Sequence, residues 1–170
     1  MRWCASYRVH PRNWAAASPL ARRSTIAPVF VDTNVFVYAR DSSDPAKQAR
    51  ASEWLRHLWE SRTGRISFQV LEEYYVTVTR KLAPGLDRRQ ARADIEDLMV
   101  WRPVPIGEEV LSGAFSIEDR FSLSFWDSLV VSAAQVARCD MLLTEDLQTG
   151  GQIDGVMIVD PFSTAVGGGI

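Results

Sequence analysis

The chain has 170 residues, 46% of them hydrophobic and 24% charged, with a formal net charge of −2; that suffices for one domain with a full core and excludes disordered and fibrous classes. Cys4 and Cys139 are too few for a disulfide scaffold and lack zinc-ligand spacing, while His10 and His57 leave little material for imidazole chemistry or a His-rich metal site. No apolar run reaches the eighteen or so residues of a membrane span, because Asp32 and Asn34 interrupt the best one, so a soluble chain is expected, and the two cysteines suit a reducing cytoplasm.

Residues 1–27 carry Arg2, Arg8, Arg12, Arg22 and Arg23 and no acid, so all 21 acids but only 14 of the 19 basic residues lie beyond them. This leader shows no sustained period and no apolar core of a secretory signal. It reads as a flexible or loosely docked extension, dispensable for chemistry, although its Arg, Ala and Ser content also resembles a transit peptide.

From Pro28 the pattern becomes regular. VFV before Asp32 reads as a short buried strand, and NVFVYAR either starts a helix or continues extended. In DPAKQARASEWLRHLWESR, Asp44 is a cap with Pro45 at the first helical position, and Ala51, Trp54, Leu55 and Leu58 recur at helical spacing. RISF looks like a second strand. QVLEEYYVTVTRK reads as a helix that ends before the Pro84-Gly85 turn, although its β-branched second half argues for strand. DRRQARADIEDLMVW, started by Asp87 and broken before Pro103, GEEVLSGAFSIEDRFS and SFWDSLVVSAAQVARC are three further helices. CDMLLTEDLQ contains a short strand and GVMIVDPF the last one. Alternating strands and helices predict an α/β fold with a mainly parallel central sheet flanked by helices. The expected domain runs over residues 28–163, and 164–170 form a tail.

In such sheets functional groups gather at the carboxyl ends of strands. Asp32 follows VFV there, and Asp146 follows MLLT in the same relation to another strand. Asp127, in SFWDSLVV, has two readings: it closes a helix N-terminus with Ser124 as a capping box, or it is a carboxylate that a helix N-terminus stabilises for metal binding. Glu72 and Glu73 flank the apolar face of Val70, Leu71, Tyr74 and Val78 almost symmetrically. Periodicity does not choose between them, and both fit solvated surface positions.

VFVDTNVFVYARD, SFQVLEEYYVTVTRK, LSFWDSLVVSAA, CDMLLTEDLQ and a closing DPF together resemble a PIN-domain protein of the VapC type, the toxins of bacterial toxin–antitoxin pairs. The likeness runs from about Val29 to Phe162. It implies a PIN-like three-layer sandwich and places the family's acids on Asp32, Glu73, Asp127 and Asp146, with Glu72 and Glu145 as neighbours. It also implies metal-dependent hydrolysis of RNA phosphodiester bonds leaving a 5′-phosphate, a homodimer, and a small antitoxin that covers the nuclease.

Converging carboxylates repel unless a cation or protons intervene. Oxygen ligands without Cys or His favour Mg²⁺ or Mn²⁺, which can generate a nucleophile from water. Asp32 and Asp127 are expected as direct ligands, Asp146 as a ligand directly or through water, and Glu73 as the holder of a metal-bound water or a second ion. Asn34, Thr144 and Ser128 are candidate hydrogen-bond partners of the acids, against a reading as ordinary capping or turn residues. Arg80, Lys81, Arg88, Arg89 and Arg92 are candidate contacts for the RNA backbone, against a reading as a solvated helix face. Trp54 and Trp59 read as core or as a subunit interface, with base stacking a further option. Tyr74, Tyr75, Phe125 and Trp126 read as packing that fixes the acids.

Two other functions compete. Asp32 could be a phosphate-accepting nucleophile, but DTNV lacks the second Asp of a DxD phosphatase and no suitably placed Lys follows the later strands. A catalytically inactive PIN fold could bind RNA or protein, but it would have little reason to hold four repelling acids.

Overall fold

The computed structural model describes residues 27–167. The leader apart from Ala27, Cys4 within it, and the last three residues of the tail lie outside the described residues. The elements are β1 Val29–Val31, α1 Thr33–Tyr38, α2 Pro45–Ser61, β2 Gly64–Arg65, α3 Phe68–Arg80, α4 Arg88–Leu98, α5 Glu108–Phe121, α6 Phe125–Val136, β3 Met141–Leu143, β4 Gln152–Ile153 and β5 Val156–Val159, with a 3₁₀ turn Met99–Trp101 after α4. They form one sheet in the order β2-β1-β3-β5-β4. All pairings are parallel except the edge pair of β4 with β5. The helices pack α1 on α2 and α3, α3 on α4, α5 on α6, and α6 on β3 and β5.

From β1 the chain crosses to β2 on one side, whereas β3 lies on the other, so the order reverses between β1 and β3. A crevice opens at such a reversal. The β1–β3 register pairs Val31 with Leu143, which sets the next residues, Asp32 and Thr144, side by side at the strand ends. Phe30, Val31, Leu142 and Leu143 are fully buried. Each contributes roughly 1.5–3 kcal/mol through burial, and together they draw the acid at the strand end inward.

Caps explain several boundaries. Asp44 Oδ1 accepts from the Lys47 N–H at 3.0 Å ahead of Pro45, and Asp87 forms a full capping box with Gln90. NVFVYAR resolves as helix because Asp32 caps it. The second strand is shorter than RISF. Ile66 is buried, and Ser67 leaves the strand to cap α3 by accepting from the Val70 N–H at 3.3 Å, so Phe68 is already helical. β4 was not expected. Asp154 and Gly155, both at positive φ, make the two-residue turn that joins it to β5, and an Asp-Gly pair is a strong hairpin signal.

Trp54 is buried, and its Nε1 donates to Pro161 O at 3.1 Å and Thr164 O at 3.2 Å. It is a core residue that ties down the closing DPF segment and offers no face to a base. Trp59 packs on Trp101 with ring centroids 6.0 Å apart. Tyr74 is fully buried and donates to Asp94 Oδ2 at 2.5 Å, while Arg40 grips the same carboxylate through Nε at 2.9 Å and through a second nitrogen. This network ties α1, α3 and α4 together. Packing was also expected of Trp126, but it is 62% exposed.

Candidate active site

At the crevice between β1 and β3 lies a cleft of about 360 Å³ lined by six carboxylates: Asp32, Asp41, Glu73, Asp127, Glu145 and Asp146. Thr33, Asn34, Gln69, Thr77, Val37, Val130 and Trp126 complete much of the wall. The four acids expected to act together therefore share one cleft, each from a different element.

Asp32 is the most enclosed of them at 9% exposure. Its Oδ1 accepts from the Thr33 N–H at 2.6 Å, and its Oδ2 accepts from Thr144 Oγ1 at 2.7 Å and Asn34 Nδ2 at 3.3 Å. Burial pushes its carboxyl up to about 6 from 3.8. The bonds from Thr144 and Thr33 oppose the rise, and the charges of Asp146 and Glu73 add to it.

Asn34 bridges the strand-end acids. Its Nδ2 also donates to Asp146 Oδ2 at 3.0 Å and lies 3.1 Å from Thr144 Oγ1, which in turn accepts from the Asp146 N–H at 3.2 Å. Asn34 and Thr144 were candidate partners of the acids against a reading as capping or turn residues, and the structure puts both in contact with the acids. Ser128 differs: its hydroxyl is fully buried and has no partner among the described residues, so it supports none of the acids.

Glu73 and Glu72 are distinguished by the fold. Glu73 Oε2 accepts from Thr33 Oγ1 at 2.8 Å and Oε1 from Gln69 Nε2 at 2.9 Å, whereas Glu72 is exposed and off the cleft. Thr33 and Gln69 were missed in the sequence. Gln69 carries a signal, because it stands one turn before Glu73 on the same helix face. Asp127 sits at the helix N-terminus beside its cap Ser124 and also faces the cleft. Its N–H donates to Ser124 Oγ at 3.1 Å, that hydroxyl donates back to Asp127 Oδ2 at 2.7 Å, and the carboxylate still lines the cleft.

Glu145 is neutralised by Lys47, which also donates to Tyr38 OH at 3.1 Å and lies 4.2 Å from the Tyr38 ring centroid. Glu145 chiefly, with Tyr38, holds the Lys47 ammonium above its ordinary range. Nothing in the local sequence pairs these residues. Cys139 is buried, and burial pushes its thiol up to about 12, so it is no nucleophile.

Arg80, Lys81, Arg88, Arg89 and Arg92 are exposed and none lines the cleft. Arg80 follows Glu73 by about two helical turns and so continues the face of α3 that bears Gln69, Glu73 and Thr77.

The donor set fits a hard divalent cation. It is all oxygen, burial and then the neighbouring acids hold its most enclosed carboxylate toward the protonated form, and the buried Asn34 Oδ1 has no hydrogen-bond partner among the described residues. Among the described residues no three His, Cys, Asp or Glu side chains close into a ready shell.

A mainly parallel sheet with an acid-lined cleft at its reversal defines an α/β protein whose candidate ligand site lies at the carboxyl ends of its strands. More particularly, the family model for the PIN domain matches residues 29–149, and the chain belongs to the PIN-domain family. Among solved structures, FitAB bound to an IR36 DNA fragment is similar at 18% identity, covering 81% of this chain and 97% of that one, with a TM-score of 0.62. VapBC2 from Rickettsia felis, bound to a DNA fragment from their promoter, is similar at 17% identity over 76% and 96% of the two chains, TM-score 0.55. Mycobacterium tuberculosis VapC20, a Sarcin-Ricin loop cleaving toxin, is similar at 19% over 69% and 89%, TM-score 0.54. At these identities the likeness is one of fold. A search of curated proteins finds no sequence match.

Among the described residues no helix is long and apolar enough to cross a membrane.

Proposed function

We propose that the protein is a Mg²⁺- or Mn²⁺-dependent endoribonuclease, the toxin of a toxin–antitoxin pair kept inactive by a small cognate antitoxin. One observation carries the reading: Asp32, Glu73, Asp127 and Asp146 arrive from four elements on one cleft at the reversal of a parallel sheet. Membership of the PIN family supports it, as does the presence of toxins and toxin–antitoxin complexes among proteins of similar fold.

Asp32 and Asp127 would hold the ion, with Asp146 joining directly or through water. When bound, the cation polarises the phosphate and lowers the pKa of an attacking water. Thr144 and Asn34 fix the orientation of Asp32 and Asp146. Glu73, gripped on both oxygens by Thr33 and Gln69, accepts a hydrogen bond from the attacking water and aims it. Arg80, in line with Glu73 on α3, contacts a phosphate further along the strand.

A metal titration tests the site. Mg²⁺ or Mn²⁺ raises the melting temperature of the wild type, and Asp32→Asn or Asp127→Asn removes most of the rise. A flat wild-type titration would refute the cation site and favour the second reading, a PIN fold that only binds RNA or protein.

A further inference from the structure

The cleft has two unlike sides. Carboxylates dominate it, yet α6 contributes an apolar strip, Trp126 and Val130, separated by one helical turn and flanking Asp127. At 62% exposure Trp126 is the most exposed large hydrophobic side chain among the described residues, and it opens onto the cleft. Its ring is nevertheless braced. Phe125 meets it edge-on, with centroids 5.5 Å apart and planes at 64°, and Phe125 stacks in turn on Phe115 at 5.9 Å and 26°. The chain of rings runs from α5 to the mouth of the cleft. An indole touched edge-on by one ring, with most of its surface bare to solvent at the cleft, is a flat apolar face open to a second ring.

We propose that Trp126 is the platform on which one unpaired base of the RNA stacks, next to the phosphodiester that the acids cleave. The proposal rests on the ribonuclease reading and deepens it by naming what selects single-stranded substrate. A nucleotide carries a flat apolar base and an anionic phosphate, and this cleft offers an aromatic face beside oxygen ligands for a cation that would bridge to phosphate. Trp126 and Asp127 are consecutive, with Cα atoms about 3.8 Å apart, so the stacked base belongs to the nucleotide at the scissile bond or its immediate neighbour. Stacking tolerates any base, because each has a π-face. Trp126 therefore selects an unstacked, single-stranded region and leaves sequence choice to other contacts. A base held in a duplex has both faces occupied by its neighbours and cannot use the platform.

The experiment uses the full chain with Mg²⁺ and a short single-stranded RNA cut at one site, together with a series in which one base at a time is removed to leave an abasic sugar. Trp126→Ala raises KM about ten- to a hundred-fold, the range of one base stacked on an aromatic ring, with kcat within about two-fold. Trp126→Phe and Trp126→Tyr restore most of the affinity. Wild type loses a similar factor at one abasic position beside the cut, and Trp126→Ala loses nothing further at that position. That coincidence separates stacking from a structural role, which would penalise all substrates alike.

Trp126→Ala with an unchanged KM and an unchanged abasic profile would overturn the proposal and leave the ring for a protein partner. If wild type cleaves none of the RNAs, the ribonuclease reading fails separately, and binding of the same oligonucleotides in Ca²⁺ decides. Weaker binding by Trp126→Ala than by wild type supports the platform, and equal binding, or none by wild type, overturns it.

Discussion

Asp32→Asn is the perturbation with the best-defined consequence. The native state holds the Asp32 carboxyl at about 6, against 3.8 when free, so between those values the folded chain keeps a proton that the unfolded chain gives up. Stability from this group is therefore lost as pH rises through the window and stays lost above it. At 1.36 kcal/mol per pKa unit the full loss is roughly 3 kcal/mol, of which about 2 kcal/mol falls between pH 4.5 and 7.5. Asparagine removes the titration. It keeps an oxygen for the Thr33 N–H but turns an amide toward Asn34 Nδ2, itself a donor, so its absolute stability mixes a gain with a loss. The slope is the clean quantity. Urea unfolding in EDTA at pH 4.5, 5.5, 6.5 and 7.5 should show wild type losing about 2 kcal/mol relative to Asp32→Asn across the series, or about 4–8 °C in Tm for a domain of this size. Mg²⁺ at pH 7.5 should recover that loss in wild type and not in the variant. Profiles parallel to within about 0.5 kcal/mol would refute the claim that Asp32 is an enclosed, cation-seeking acid.

Glu73→Gln keeps the shape but weakens the acceptor for water, so kcat for RNA cleavage should fall at least about 100-fold with Tm nearly unchanged; an active variant would remove Glu73 from the mechanism. Asp94→Asn leaves Arg40 with a poorer partner in a buried site shared with Tyr74, and should cost about 3–5 kcal/mol in urea unfolding. A Cβ at Gly113 would stand 2.3 Å from Ser132 Oγ. Gly113→Ala should therefore destabilise by about 1–3 kcal/mol, and adding Ser132→Ala should return part of it, whereas strict additivity would show that α5 and α6 adjust freely.

The strand-end acids were readable because a parallel sheet collects such residues at one edge, and the β1–β3 register then leaves Asp32 beside the strand that delivers Asp146. Asp127 was readable as a residue but not as a role, since a helix cap and a cleft carboxylate use the same position and the structure shows both. Glu73 could not be told from Glu72 by periodicity. What separates them is a hydroxyl on α1, 40 residues earlier in the chain, and long-range partners leave no local mark. The same holds for Lys47 with Glu145, 98 residues apart, and for Arg40 with Asp94. β4 was missed for a different reason. The Asp154-Gly155 pair is a hairpin signal that went unread, and a two-residue edge strand carries too little alternation to register. Trp126 was misplaced because an aromatic beside a functional acid ordinarily packs, and only its 62% exposure shows otherwise.

The central claim is tested most directly by RNA cleavage with the purified chain, comparing wild type in Mg²⁺ and in EDTA with Asp32→Ala and Asp127→Ala in Mg²⁺. Wild type in Mg²⁺ should cut single-stranded RNA and leave 5′-phosphate ends, while EDTA and either substitution should abolish the products. Cleavage that survives EDTA and both substitutions would contradict the account.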